Sequence, residues 1–193
     1  NADIDGTKRT CCVGINNRKA ARIAGRLMGQ FLGGTGKIAV VSSAIASENN
    51  NYYVQVRETE FADFIHKEYP DIEIITTLDS FEDPQITYEK TVKLLRDYQD
   101  LQGIYITCGG VSQVGRALEE SGRAKDIRVI SFEDYPEVVD LIRKDVIDCT
   151  LAGELQQQGE IPVQIIMDYL VFGKEPEQQQ IFTDIRVLVK ESL

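Results

Sequence analysis

The chain has 193 residues, 42% of them apolar, which is enough to fill a domain core and excludes a wholly disordered or fibrous polymer. Its 21 Lys and Arg against 31 Asp and Glu give a net charge of -10, which argues against nonspecific grip on nucleic acid and favours small-molecule or protein partners. No run approaches the roughly eighteen apolar residues of a membrane span, no basic-then-apolar leader opens the chain, and the four cysteines have neither disulfide density nor zinc spacing, so reduced thiols in a cytosol are expected.

Cys11-Cys12 reads as two buried strand residues rather than a vicinal disulfide. From Asn17 to Leu32 apolar residues recur at three- and four-residue intervals and Gly33-Gly34 follows, which predicts a helix with a glycine stop. Lys37 to Ser43 is short, β-rich and almost wholly apolar, as in a strand buried on both faces. A helix over 53–67 is followed by a strand over 72–75, a helix over 84–98 by a strand over 103–106, and a helix over 111–120 by a strand over 128–132. Strand and helix at this spacing demand right-handed crossovers and a mainly parallel sheet with helices on both faces, a three-layer α/β sandwich. The tail predicts a helix over 135–144, a strand over 147–151, a helix over 161–172 and a strand over 185–189. The glutamine triplets 156–158 and 178–180 read as solvated connections.

In such a sheet ligands bind beyond the carboxyl ends of the strands, here residues 42–51, 79–83, 107–112 and 133–135. Gly33-Gly34-Thr35-Gly36-Lys37 lacks phosphate-loop spacing and precedes a strand, so it reads as a turn. Gly109 and Gly110, between a strand and a helix, would let backbone N–H groups approach a ligand oxygen, or simply make a tight turn. Glu133 and Asp134 follow a strand and can accept from ligand hydroxyls, with helix capping as the alternative role of Asp134. Arg57 stands near a helix start, against the helix dipole, as expected of an arginine held for a fork-like polar contact. Tyr52 and Tyr53 can stack on a sugar ring or cover the sheet end. Cys108 has only His66 as a potential imidazole partner, and one histidine with scattered carboxylates offers no metal set, so neither catalysis nor a cofactor is expected.

These motifs together resemble the effector-binding module of LacI-type transcription regulators, itself similar to type 1 periplasmic sugar-binding proteins. The resemblance runs through Val13-Gly14-Ile15-Asn16-Asn17, the 21–25 helix, Arg57-Glu58-Thr59-Glu60-Phe61, Gly109-Gly110, Ser131-Phe132-Glu133-Asp134 and the ending Lys190-Glu191-Ser192-Leu193. It implies a two-subdomain α/β module whose cleft closes on a sugar or related polar effector, with no covalent chemistry. It further implies that most of a first subdomain would precede Val13. Residues 3–16 would then be a connecting strand from it, 17–148 the second subdomain, and 149–193 a crossover segment, helix and terminal strand. The partners implied are a small-molecule effector, a second copy of the chain in a homodimer, and operator DNA through a headpiece farther upstream. The location implied is cytoplasmic, off the membrane. A solute-binding protein of a sugar transport system shares the same cleft logic, and an enzyme on a doubly wound sheet is the alternative of a different class.

Carried over residue by residue, the sugar-contacting arginine maps to Arg57 and the ligand-contacting aspartate to Glu133. An Asn-Asp pair maps to Gly109-Gly110, a glutamine to Gly153 and a glycine to Glu60, so this site departs from the family's usual one. Tyr53 and Asp134 complete the candidate ligand set, and the apolar helix 161–172 is expected to lack a covering neighbour.

Overall fold

In a computed structural model, residues 7–43 and 52–193 are described. The part of the 42–51 loop from 44 to 51, and residues 3–6 of the expected connecting strand, lie outside them. The elements are β1 (Cys12–Ile15), α1 (Asn17–Phe31), β2 (Thr35–Ser42), α2 (Tyr52–Glu68), β3 (Asp71–Asp79), α3 (Pro84–Asp97), β4 (Leu101–Ile106) and α4 (Val111–Ser121). They continue as β5 (Arg128–Phe132), α5 (Pro136–Arg143), β6 (Cys149–Gly153), α6 (Leu155–Phe172), β7 (Gln180–Thr183), β8 (Ile185–Leu188) and a closing 3-10 turn, Lys190–Ser192.

Six strands form one sheet in the order β3-β2-β4-β5-β6-β8, parallel except for β8, which runs antiparallel to β6. Side chains alternate along each strand, so β2 sends Ile38 and Val40 to one face and Ala39 and Val41 to the other. The first face packs Ala20, Ala24 and Met28 of α1 with Phe61 and Ile65 of α2; the second packs Leu94, Val114, Leu118 and Leu141 from α3, α4 and α5. Helices on both faces explain the near-continuous apolar strands and realise the expected three-layer sandwich.

Local chemistry accounts for the helix ends. Asn16 caps α1 through its side chain, which accepts from the Lys19 N–H at 3.0 Å. Gly33 and Gly34 take positive φ at the other end, and the Gly34 N–H donates to Gly29 O at 2.9 Å. Asp83 caps α3 ahead of Pro84.

The C-terminal region departs from the sequence expectation. Helix α6 begins at Leu155 and carries Pro162 inside it, so the first glutamine triplet is helical rather than a connection. Interior proline mimics the first-turn proline of a new helix, which is why the pattern read as starting at 161. Strand β7 takes in Gln180 of the second triplet and pairs in parallel with β1, forming a separate two-stranded sheet. Cys11 and Cys12 are half-buried free thiols, not core residues: Cys11 precedes β1, and of β1 it is Ile15 that packs against the main core.

Candidate binding cavity

A cavity of about 740 Å³ opens beyond the carboxyl ends of β4, β5 and β6. Its wall draws on β1 (Cys12 to Ile15), the start of α1 (Asn17), α2 (Tyr53, Val54, Arg57), the loop after β3 (Glu82), the β4–α4 turn (Cys108 to Ser112), the β5–α5 segment (Phe132, Glu133, Tyr135, Glu137, Val138) and the β6–α6 junction (Gly153, Leu155, Gln158).

Arg57 ties three of these elements together. Its Nε donates to Asn17 Oδ1 at 2.7 Å, its Nη1 to the Thr107 carbonyl at 3.1 Å, and its Nη2 lies 3.7 Å from Glu133 Oε1. The guanidinium also stacks on Phe132, 3.9 Å from the ring centroid. Burial lowers its pKa, with partial compensation from Tyr105, Glu133 and Cys108. An arginine so held is a fixed, planar donor, and only part of its fork is taken up by these partners.

Glu133 occupies the left-handed region at φ 71, rare for a residue with a side chain. Two bonds hold it there: its N–H donates to Leu151 O at 2.8 Å, and Thr150 Oγ1 donates to its carbonyl at 2.7 Å. The strain is thus placed at the cavity wall, beside Arg57. Gly110, at φ 93, starts α4 without a side-chain cap, and a Cβ there would lie 2.8 Å from Thr87 Cγ2. Gly109 has open space on its side-chain side.

Of the residues expected from sequence, Arg57, Glu133, Gly109, Gly110 and Tyr53 all line this cavity. Asp134 does not: its carboxylate accepts from Arg186 Nη2 at 2.7 Å, fixing the β5–α5 loop to β8. Nor does it cap α5, whose N-cap is Tyr135. Glu60, at the position where the resemblance expects glycine, is buried and accepts from both Arg18 and Arg22, so it locks α1 to α2 instead of shaping the cavity. Glu82 belongs to the strand-end loop 79–83 expected at the ligand-facing end, whereas sequence reasoning did not point to Cys12 or Gln158, because chain folding far from the Arg57 motif brings them to the wall.

Cys108 is unsuited to nucleophilic work. Burial pushes its thiol pKa up, against the opposing hydrogen bonds of Ser80 and Ser43, and Ser80 Oγ lies 3.4 Å from the sulfur. His66 is exposed nine residues beyond Arg57 on α2, about 13 Å along the helix axis at 1.5 Å per residue. No group of three metal-ligating side chains occurs among the described residues, and none of their helices is long and apolar enough to cross a membrane.

A family model described as a periplasmic binding protein domain matches residues 1–175. The chain belongs to that family. Solved structures of similar form include a sugar-binding protein of a sugar ABC transporter from Bacillus halodurans, 27% identical with a TM-score of 0.86, over 96% of this chain and 66% of that one. GanP, a glucose-galactose binding protein from Geobacillus stearothermophilus, superposes with a TM-score of 0.87 at 24% identity, over 99% of this chain and 66% of that one. AraP, an arabinose binding protein from the same organism, gives 0.85 at 24%, over 96% and 65% respectively. This periplasmic binding protein domain therefore spans just under two thirds of the length of these structures. No curated protein matches it. The α/β fold with a mostly parallel sheet is that of the type 1 periplasmic binding proteins, as the resemblance implies.

Proposed function

We propose that this chain supplies much of the binding cleft of a solute-binding protein that takes up a neutral sugar, with no covalent chemistry. The observation that carries the reading is Arg57, stacked on Phe132 and held by Asn17 and Thr107 at the wall of a cavity of small-ligand size. A guanidinium fixed over an aromatic ring offers directed donors to ring and hydroxyl oxygens. Among the described residues three carboxylates, Glu82, Glu133 and Glu137, share the wall with this one arginine, a balance that suits hydroxyl groups as donors and disfavours an anionic ligand. The neighbours' own names, for glucose-galactose, arabinose and ABC-transporter sugar binding, support the same class.

The LacI-type regulator is the second reading, favoured by the Ser131-Phe132-Glu133-Asp134 turn and the Lys190-Glu191-Ser192-Leu193 ending. In that case a homodimer would pass effector binding to operator DNA through a headpiece, in the cytoplasm. A transport protein works outside the cytoplasmic membrane and needs no DNA. On either reading residues 17–148 would act as one subdomain and 149–193 as the returning segment, entered through the short strand β1, Cys12–Ile15, and not through a strand over the whole of 3–16.

Thermal unfolding of the full-length gene product with D-glucose, D-galactose, D-arabinose and D-fucose each in excess tests the proposal. Binding of one of them at a hundredfold its Kd stabilises by about 2.7 kcal/mol and raises Tm. An unchanged Tm with all four, and with further neutral sugars, counts against it. Cell fractionation then separates transport from regulation: export places the protein outside the cytoplasmic membrane, regulation retains it with DNA.

A further inference from the structure

The first glutamine triplet divides into three environments. Gln156 donates to Glu160 Oε1 at 2.7 Å along the solvent side of α6. Gln157 exchanges two bonds with Asp184: its Nε2 donates to Oδ2 at 3.2 Å, and the Asp184 N–H donates to Gln157 Oε1 at 3.2 Å. Gln158 is the member of the triplet that lines the cavity, half-buried on a helix that buries none of its residues.

Gly153 is what admits it. This glycine ends β6 at the cavity wall, and a Cβ built on it would collide with Gln158 Nε2 and lie 2.6 Å from Ile15 Cγ2. The strand end thus offers no side chain of its own, and the space one would take is filled by the amide five residues later. Glycine and glutamine thus form a small-and-large pair at the cavity wall.

The amide is presented from a braced turn. The Glu154 N–H donates to Asp184 O at 3.2 Å, and Gln157 grips the same aspartate. Arg186 then links Glu154, at 3.4 Å, to Asp134, at 2.7 Å, in the loop that carries Glu133. Anchoring of α6 is thereby assigned to Glu154 and Gln157, whose partners lie on the β7–β8 side. A carboxamide has two donors and an acceptor, so one that already has a partner within the protein retains capacity for a ligand hydroxyl.

We infer that Gln158 contacts the ligand and sets its specificity, its amide replacing the side chain absent at Gly153 and reading one hydroxyl of a neutral sugar. The inference rests on the sugar-binding reading above. It makes the β6–α6 junction a recognition element of the cavity alongside Arg57.

The test is calorimetric titration of the full-length gene product with D-glucose, D-galactose, D-arabinose, D-ribose and D-xylose, then with monodeoxy analogues of the sugar that binds best. Wild type, Arg57→Ala, Gln158→Leu and Gln158→Asn are compared, the last retaining an amide drawn back by one methylene. Both Gln158 variants should bind the parent sugar about tenfold more weakly. They should also be indifferent to the loss of one particular hydroxyl whose removal weakens wild-type binding by the same factor. Equal weakening towards the parent and every deoxy analogue would mark a packing role and overturn the inference. Binding lost in Arg57→Ala but unaltered in both Gln158 variants would overturn it while leaving the sugar reading intact. Absence of binding by the wild type to every sugar would overturn both.

Discussion

Arg57 does two jobs at once: it ties Asn17, Thr107 and Glu133 together and it presents donors to the cavity. Lysine can supply the charge but neither the planar stack on Phe132 nor the simultaneous bonds to Asn17 and Thr107. Arg57→Lys should therefore weaken ligand binding at least tenfold, as measured by titration, even where the protein stays folded. A second residue-scale consequence concerns Cys149, whose thiol is pushed up to about 12 by burial. Between its ordinary value of 9.0 and about 12 the unfolded chain releases this proton while the folded chain keeps it, so stability falls as pH rises through that window. Urea unfolding between pH 8 and pH 11 should show a shallower alkaline decline for Cys149→Ala than for the natural protein, once their difference at pH 8 is subtracted. At this scale Arg57 and Glu133 could be found from sequence because each sits at a strand or helix end with chemistry unusual for its place. Glu82 was legible only as part of the strand-end loop 79–83, and Gln158 not at all, since its approach depends on a helix junction that no local pattern announces.

Elements pack here through small residues and one buried carboxylate. A Cβ at Gly29 of α1 would collide with the Tyr69 ring at the end of α2. Gly29→Ala should thus cost about 1–3 kcal/mol of stability through overpacking, despite the better helix propensity of alanine. Denaturant midpoints would show it, and a rise in stability would contradict the packing described. The alternating helices and strands from residue 17 to 153 were legible because buried strands such as β2, β4 and β5 are short apolar runs and several helices carry a boundary signal, Gly33-Gly34 after α1, Pro84 in α3, Gly122 after α4 and Pro136 in α5. Legibility failed at α6, where interior Pro162 imitated a helix start, and at β7, whose Gln-Ile-Phe-Thr sequence has no length or alternation to set it apart and gains its partner, β1, from the far end of the chain.

At the scale of the whole molecule, one surface differs from the rest. Helix α6 exposes Val163, Ile166, Met167, Leu170, Val171 and Phe172, with Leu170 71% and Phe172 76% accessible. A contiguous apolar helix face of this kind favours association. The 193-residue chain on its own should bind a hydrophobic dye and self-associate in light scattering, and Leu170→Lys with Phe172→Lys should reduce both. The architecture otherwise places its cavity where an open parallel sheet allows one, with side chains from α1, α2 and four strand-to-helix junctions converging on one space.

The most direct measurement is calorimetry of the full-length gene product with neutral monosaccharides, run beside Arg57→Ala. The account predicts saturable binding of at least one sugar at micromolar or tighter Kd, abolished by Arg57→Ala with the fold retained. Equal affinity in the wild type and in Arg57→Ala would contradict it, because the ligand would then be held somewhere other than the cavity that Arg57 organises.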